Sequence, residues 1–339
     1  MKRIISCLLI LVLMAAAIPA SAAAKPARLV LDAPFGVYGE ELSVDIRVED
    51  LPECAIFGLT LKYDSSALEL IDFEEKQNGE YVYPEDSAKG QYGVVWTNIA
   101  KQVQGDVVFG TLKFKIIKKV ESTTLKVNMA EAAAETEKLI EIEYGDTVVP
   151  LYENHPFTDV GNDWFRESVL FAYNNDLMNG MDEKKFEPQT TCTRAMLVTI
   201  LYRNAGEPFV IAASPFTDLK QNWYKNPINW AFEYEIVNGM TATTFAPDET
   251  VTREQIATIL YRYAKYDNAN VSQKKSLSSF SDGKKVSSWA KEAMEWAYAS
   301  GLINGNSING TVLLDPQGAA TRAQIATILM RYVKMTAEQ

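Results

Sequence analysis

The sequence is poor in the residues on which disulfide-stabilised domains, metal sites and many active sites depend. Its 339 residues include one histidine and three cysteines. Cys7 lies in an apolar N-terminal segment, and Cys54 and Cys192 fall in regions with different hydrophobic patterns. A disulfide framework is therefore not expected, and each domain must be stabilised by its own core. His155 stands beside Pro156 in a short linker, where we expect a solvated side chain rather than a catalytic one.

Positive charge is also scarce. The chain has 33 Lys and Arg against 44 Asp and Glu, which gives a formal net charge of -11, and it has no block of basic residues. This balance argues against nucleic acid and anionic membranes as partners. The spacings of metal ligands, phosphate-binding loops and nucleophile elbows are missing as well. The sequence thus predicts a protein without catalytic residues, cofactor or metal.

Long apolar runs are limited to the N-terminus. Lys2 and Arg3 precede a run from Ile4 to Ile18, and small residues surround Ala22. The run is shorter than the roughly 20 residues of a membrane-spanning helix, and its flanks are typical of a signal peptide. We therefore expect residues 1–24 to be a signal peptide and the remainder to be secreted, without insertion into a membrane.

Residues 25–150 show the period-two alternation of β-strands. Apolar residues alternate with polar ones from Leu42 to Val48, from Leu59 to Tyr63 and from Leu112 to Ile116. Several such runs, separated by turn residues, predict an antiparallel β-sandwich. The Ala- and Glu-rich stretch from Ala130 to Leu139 breaks the pattern, and we expect a loop or a short helix there.

After a linker at residues 151–156, one sequence motif occurs three times, at residues 157–205 (copy one), 216–265 (copy two) and 280–334 (copy three). Each copy has an aromatic residue with Asp two positions later, a Trp, an Asn-Gly pair, an aromatic residue or Leu followed by Pro, and a Thr-Arg pair. Apolar residues near the end of each copy recur at helical spacing, so each copy is expected to be two helices joined by a loop. One pair of helices cannot bury the apolar face that these residues form. We therefore expect the three copies to pack with their apolar faces against each other.

The Thr-Arg pair places a cation where a helix disfavours it. Thr is a good N-cap, and Gln255 and Gln324 complete a capping box that Met196 does not. A cation in the first turn opposes the helix dipole, at a cost on the order of a few tenths of a kcal/mol. Two interpretations remain open: an ion pair with the Asp of the same copy, or an anionic ligand that also meets free backbone N–H groups. The residues concerned are Arg194, Arg253 and Arg322, with Asp159, Asp218 and Asp282.

The repeated Trp and Gly residues also have two interpretations. A Trp at a recurring helix start is commonly a core residue, whereas a partly exposed indole suits sugar stacking. The Gly of each Asn-Gly pair is expected to cap the first helix in the left-handed conformation, or to let a ligand approach the backbone. These residues are Trp164, Trp223 and Trp289, and Gly180, Gly239 and Gly305.

The repeated sequence motif resembles the S-layer homology (SLH) domain. Phe-x-Asp, Trp, Asn-Gly, Phe-x-Pro and Thr-Arg match over residues 157–334, although the Glu that ends the family's Thr-Arg-Ala-Glu motif is absent from every copy. The resemblance implies an all-α, pseudo-threefold domain that binds a secondary cell wall polysaccharide linked to peptidoglycan, often with pyruvylated sugars. It further implies that the three arginines meet pyruvyl carboxylates, and it makes the repeated Asp, Trp and Gly residues candidate polymer-binding residues.

Residues 25–150 are similar to cohesins, the dockerin-binding modules of cellulosome scaffoldins. The resemblance lies in the segment from Gly58 to Leu70 and in the late strand from Val107 to Ile116. It implies a jelly-roll sandwich with a binding face for a dockerin-bearing protein. The candidate residues of that face are Ile56, Gly58, Tyr83 and Trp96.

Together the two resemblances imply a non-catalytic adaptor at the cell surface of a bacterium. The helical copies would bind the cell wall polymer, and the sandwich would display a dockerin-binding face. In the alternative interpretation the sandwich binds carbohydrate, with Tyr81, Tyr83, Tyr92 and Trp96 as the stacking aromatics, or is a structural part of an S-layer protein.

Overall fold

The computed structural model describes residues 25–33, 35–83, 89–135 and 138–337. The predicted signal peptide lies outside the described residues. The chain divides into two compact units between Pro150 and Leu151.

The first unit is the predicted β-sandwich. One sheet has the strand order β11-β1-β3-β8-β5, and the other has the order β2-β12-β9-β4-β7-β6, with β10 paired to β9. The long strands pair antiparallel, whereas β1 and β11 pair in parallel. The strands are β1 Ala27–Asp32, β2 Gly36–Val37, β3 Glu41–Cys54, β4 Ile56–Lys62, β5 Leu68–Glu75, β6 Glu80–Val82, β7 Gln91–Thr97, β8 Val103–Ile116, β9 Ser122–Ala133, β10 Leu139–Ile140, β11 Ile142–Glu143 and β12 Thr147–Tyr152.

Alternate side chains of the long strands form the core between the sheets. Val44, Ile46 and the other apolar residues predicted on β3 are buried. Phe57 of β4 stacks on Phe109 of β8, with ring centroids 4.1 Å apart across the sandwich. Full burial of such a side chain contributes roughly 1.5–3 kcal/mol, so the period-two pattern both specifies the strands and stabilises their packing.

Two boundaries differ from the sequence predictions. The loop or helix predicted over Ala130–Leu139 is wrong for residues 130–133, because β9 continues to Ala133, and for Leu139, where β10 begins and pairs back onto β9. Ala134, Glu135 and Lys138 lie outside the strands, as predicted for a loop. Alanine favours helices, but the pairing of Ala132 with Phe57 and the burial of alternate residues override that preference here. The predicted linker is also shorter than 151–156, since β12 includes Leu151 and Tyr152.

The second unit contains six α-helices among the described residues, two from each copy. They are α1 Arg166–Asn174, α2 Arg194–Asn204, α3 Asn222–Glu233, α4 Arg253–Tyr266, α5 Lys291–Ala299 and α6 Arg322–Ala337. Helix α2 packs on α3, α4 on α5, and α6 on α1. The last contact closes the three copies into a ring with pseudo-threefold symmetry. The stripes of α2, α4 and α6 meet at its centre through Leu197, Ile200, Leu201, Ile256, Leu260, Ile325, Ile328 and Leu329.

The all-α description of this unit is not correct. Copy three contains a β-hairpin of β13 (Asn306–Ile308) and β14 (Thr311–Leu313). Its turn is Asn309-Gly310, with φ of 50° and 76°, the left-handed pair that Asn-Gly favours in a tight hairpin. Two 3-10 turns, at Leu277–Ser279 and Gly283–Lys285, precede α5.

Candidate functional site

The helix starts of the Thr-Arg pairs are capped as predicted. Thr193 Oγ1 accepts a hydrogen bond from the N–H three residues on, at 3.2 Å. Thr252 with Gln255 and Thr321 with Gln324 form the two predicted capping boxes, in which each side chain bonds the backbone of the other residue. These bonds fix the position from which the following Arg extends.

The first N–H groups of these helices are not free for an anion. Arg253 N donates to Gly318 O at 3.0 Å, and Glu254 N donates to Pro316 O at 2.9 Å. Helices α2 and α6 make the same pair of bonds, in each case to the loop of another copy. The expectation that a ligand meets free N–H groups here is therefore wrong, because carbonyls of the neighbouring copy occupy them.

The three arginine side chains are buried between copies. Arg194, Arg253 and Arg322 are 5%, 3% and 5% exposed. Each Nε donates to the carbonyl of the Phe or Leu that stands two residues before Pro in another copy. The three bonds join Arg194 to Phe245 at 3.0 Å, Arg253 to Leu314 at 2.8 Å and Arg322 to Phe186 at 2.8 Å. Because Arg322 returns to copy one, the arginines form a closed cycle around the ring.

The repeated aspartates hold the same loops from the other side. Asp218 accepts hydrogen bonds from Phe245 N at 3.0 Å and Ala246 N at 2.7 Å, and Asp159 and Asp282 do the same in their copies. Burial alone would raise the pKa of Asp218, but these N–H groups lower it. The expected ion pair within one copy is wrong, because the charge that acts on Arg194 is Asp218 of the next copy.

The glycines of the Asn-Gly pairs do not cap the first helices. The left-handed residues after α1, α3 and α5 are Asp176, Glu235 and Gly301. Gly180 is needed for another reason: a Cβ there would lie 2.6 Å from Phe157 Cε1 and 2.7 Å from Lys185 O. The close approach that glycine allows is therefore to the protein's own loop.

The repeated tryptophans lie at the surface. Trp164, Trp223 and Trp289 are 66%, 49% and 57% exposed, so the core interpretation is wrong for all three. Trp164 meets Phe165 edge-on, with ring centroids 5.4 Å apart. The indoles are thus accessible to solvent.

A groove of about 460 Å³ brings several of the predicted residues together. It combines Trp164 of copy one, Arg253 of copy two and the turn around Gly305 of copy three. The predicted residues of one site thus come from three different copies. The groove is lined by Trp164, Arg253, Leu302, Ile303, Asn304, Gly305, Asn306, Ser307, Gln324, Thr327, Ile328 and Arg331.

Arg331 is a groove residue that the sequence reasoning missed. Its Nη1 lies 3.5 Å from Gly301 O and 3.4 Å from Leu302 O, and burial lowers its pKa. The signal was present, since Arg203, Arg262 and Arg331 recur at the same position of the three copies. Arg331 gives the groove a second cation beside Arg253.

The structure does not bring the four sandwich candidates to one face. Ile56 and Gly58 lie on the outer side of β4, opposite Thr97 and Val95 of β7. Trp96 is 0% exposed and packs edge-on against Phe109 in the core, so its assignment to a binding face is wrong. Tyr83 is 43% exposed, and its hydroxyl donates to Glu75 of β5.

The outer side of β4 and its neighbours is a flat, mainly apolar surface. Val82, Val95, Gly58 and Glu131 are paired across β6, β7, β4 and β9. The next row contains Glu80, Thr97, Ile56 and Ala133. We call these eight residues the β4 face.

Comparison with known families assigns each of the two units to a family. The S-layer homology domain model matches residues 156–195, 215–257 and 279–326, and the cohesin domain model matches residues 28–145. The chain therefore carries a cohesin domain followed by three SLH domains. No helix in the described part of the chain is long and apolar enough to cross a membrane.

The relatives include surface proteins and glycan hydrolases. The chain is 32% identical over 170 residues to the Surface-layer 125 kDa protein of Lysinibacillus sphaericus, covering 50% of this chain and 14% of that protein. Identity to Exoglucanase XynX of Acetivibrio thermocellus is 28% over 174 residues, covering 51% and 16%. The chain spans less than a fifth of the length of these curated relatives. The seventh ScaB type I cohesin of Pseudobacteroides cellulosolvens has 18% identity and a TM-score of 0.35, covering 39% of this chain and 95% of that one.

Proposed function

We propose that this protein is a non-catalytic adaptor that holds a partner protein at a bacterial cell surface. Its SLH domains bind a secondary cell wall polysaccharide linked to peptidoglycan, and its cohesin domain binds a dockerin-bearing protein. The order of the two matched families along one chain supports this division of roles.

The groove at Trp164 and Arg253 is the observation that carries the wall-binding half. An exposed indole offers an apolar face for a sugar ring, and a buried guanidinium makes strong, charge-assisted bonds to a carboxylate. A sugar that carries a pyruvate ketal presents both features within one residue. We therefore assign pyruvylated sugars of the polymer as the ligands of this groove and of its two pseudo-threefold equivalents.

Sedimentation with purified cell walls tests this assignment. Substitution of Trp164, Trp223 and Trp289 by Ala should lower the fraction that sediments by at least about tenfold, because several weak sites on one polymer reinforce each other. Removal of pyruvate from the walls should have the same effect on the wild-type chain. The tryptophans are better targets than Arg253 and Arg322, whose loss would also loosen the contacts between copies.

Phe209 provides the matched control, because it is 87% exposed and does not line the groove. Phe209→Ala should sediment like the wild type. Equal sedimentation of the triple Trp variant, or of the wild type on walls without pyruvate, would contradict the assignment.

The β4 face supports the dockerin-binding half of the proposal. It is flat because Gly58 has no side chain, and the nearest atom to a Cβ built there is Val95 Cγ2 at 3.8 Å. Val82 is 49% exposed beside it. A surface of this kind matches the apolar centre and polar rim of protein interfaces.

A panel of dockerins tests this half. The wild-type chain should bind at least one class, and Gly58→Arg should abolish that binding by projecting a charged side chain from the centre of the face. Ile71→Arg is the control, because Ile71 is 50% exposed on β5 of the other sheet. If no dockerin binds, or if Gly58→Arg binds normally, the dockerin-binding part of the proposal is contradicted.

Carbohydrate binding by the sandwich has less support. Trp96 is fully buried, Tyr92 is 8% exposed, and the Tyr81 hydroxyl donates to Phe109 O. Of the four candidate stacking aromatics only Tyr83 is exposed, at 43%, and one ring does not form a platform. A glycan array run beside the dockerin panel distinguishes the two functions.

A further inference from the structure

The three arginine sites differ in how far each guanidinium is already hydrogen-bonded. Arg194 Nη2 donates to Asn238 O at 3.2 Å, and Arg322 Nη2 donates to Asn179 O at 2.6 Å. Arg253 bonds only through Nε among the residues that the structure describes. Its two terminal nitrogens therefore lack an acceptor there, although the side chain is 3% exposed and lines the groove.

The contact beneath the guanidinium differs as well. Arg194 lies over the ring of Phe245 and Arg322 over the ring of Phe186, each 4.5 Å from the centroid. Copy three has Leu314 at this position, and this residue offers Arg253 no aromatic face to offset its charge. Of the three buried guanidinium groups, that of Arg253 therefore has the fewest interactions to compensate for its burial.

The β13–β14 hairpin accounts for the missing bond. The loop between Gly and Phe has five residues in copies one and two, at 181–185 and 240–244, whereas residues 306–313 form an eight-residue loop in copy three. Gly305 has φ of +87°, unlike Gly180 and Gly239, which do not have positive φ. The carbonyl of Asn304 accepts no bond from Arg253, in contrast to its counterparts in the other copies.

The hairpin also adds polar groups to the groove. Asn306 Oδ1 accepts a hydrogen bond from Gln324 Nε2 at 3.3 Å, and both residues line the groove beside Arg331. Copy one has Met196 at the position of Gln324. The groove at Arg253 thus has donors and acceptors for sugar hydroxyls that the copy-one helix does not offer.

We propose that the groove at Arg253 is the one pre-formed, tight site of the three for a carboxylate-bearing sugar, and that the β13–β14 hairpin makes it so. This inference rests on the proposed wall-polymer function. The carboxylate bonds the open nitrogens of Arg253, the sugar ring stacks on Trp164, and hydroxyls meet Asn306 and Gln324. At the other two sites the ligand must first displace a carbonyl from a charged donor, which weakens binding by about tenfold or more.

Calorimetry with a defined probe tests the proposal. The probe is a methyl hexoside that carries a 4,6-linked pyruvate ketal, and the same hexoside without the ketal is its reference. Replacement of residues 306–313 by Met-Thr-Ala-Thr-Thr, the sequence of residues 240–244, should weaken the tight site of the full chain at least about tenfold. Phe209→Ala, at an exposed position that does not line the groove, should leave the tight site unchanged.

The reverse exchange gives an independent readout. Residues 306–313 placed in copy two instead of residues 240–244 should release Arg194 from Asn238 and raise the number of tight sites from one to two. Crystals soaked with limiting probe should show the carboxylate on Arg253 first. Occupancy of Arg194 or Arg322 first overturns the inference, even where the hairpin replacement fails to fold.

The outcomes also separate this inference from the function on which it rests. A folded hairpin replacement that binds the probe as tightly as the wild type refutes the role of the hairpin alone. A wild-type chain that binds neither the ketal nor purified walls refutes both.

Discussion

The peptide unit between Phe245 and Ala246 is held from both sides by residues of two copies. Its N–H, that of Ala246, donates to Asp218 of copy two at 2.7 Å, and its carbonyl, that of Phe245, accepts from Arg194 of copy one. The peptide unit between Phe186 and Glu187 is held in the same way by Asp159 and Arg322. A buried peptide group left without such a partner would cost roughly 1–3 kcal/mol. The repeated Asp and Arg therefore act on one peptide, although they never form the expected pair with each other.

These contacts predict how acid affects the helical unit. The pKa values of Asp159 and Asp218 are lowered on folding, because the backbone N–H groups outweigh the effect of burial. A lowered folded pKa contributes stability that is fully present above the unfolded value of about 3.9 and is lost as the pH falls through the folded value. Asp218→Asn should lower the unfolding temperature at pH 7 by several degrees and should flatten its decrease below about pH 4.

Differential scanning calorimetry of the helical transition at several pH values measures this effect. Asp248→Asn, at an exposed position, serves as the control. An unchanged pH profile in Asp218→Asn would show that the carboxylate charge does not stabilise the loop.

The N-terminus of α4 contains a buried carboxylate that forms hydrogen bonds to copy three. The carboxylate of Glu254 accepts hydrogen bonds from Ser287 N at 3.0 Å, Ser287 Oγ at 2.9 Å and Gln317 Nε2 at 3.4 Å. Glu254 is 4% exposed, and both partners belong to copy three. Copies one and three have Ala195 and Ala323 at this position. The contact between copies two and three thus has a polar connection that the other two contacts lack.

Removal of that connection should destabilise the helical unit. Glu254→Ala leaves the partners of the carboxylate without an acceptor, at an expected cost of roughly 1–3 kcal/mol in the free energy of unfolding. Glu254→Gln should recover part of the loss, because its amide oxygen still accepts. Urea unfolding followed by circular dichroism measures both, with the exposed Glu183→Ala as control. A loss no larger than that of the control would contradict this role.

The elements also show where sequence reasoning succeeds and where it fails. The 3.6-residue stripe and the Thr caps are local signals, and they predicted the helices that begin at Arg194, Arg253 and Arg322. Ala130 to Ala133 was misjudged because strand pairing, a long-range effect, outweighs the local preference of alanine. The β13–β14 hairpin was missed although its Asn309-Gly310 turn is a recognised hairpin signal, because the same dipeptide was assigned to helix capping elsewhere.

At the scale of the molecule, the three copies are interdependent. Helix α6 packs on α1, and Arg322 donates to two carbonyls of copy one. The sequence revealed three equivalent copies but not which copy completes which site, since equivalence along the chain does not specify neighbours in space. Trp164, Arg253 and Gly305 share one groove because of the order in which the three copies follow each other around the ring.

Truncation tests this interdependence. A chain that ends at residue 320 lacks α6, so copies one and two lose their shared centre and should not fold on their own. We expect the helical unfolding transition to disappear while that of the sandwich remains. Calorimetry and limited proteolysis measure the two units separately, and a chain that ends at residue 335 is the control. A surviving cooperative helical transition would show that two copies suffice.

The ring closure has a mechanical consequence for the anchoring function that we propose. The chain enters the helical unit at copy one, whose loop is joined to copy three by consecutive backbone bonds: Cys192 N to Ala320 O, Arg322 N to Thr190 O and Ala323 N to Pro188 O, at 2.9, 2.9 and 3.0 Å. Separation of copy one from copy three therefore requires the loss of several neighbouring backbone bonds. The Arg253 groove is lined by residues of all three copies, so a polymer bound there, as we propose, would share the pull among the three copies.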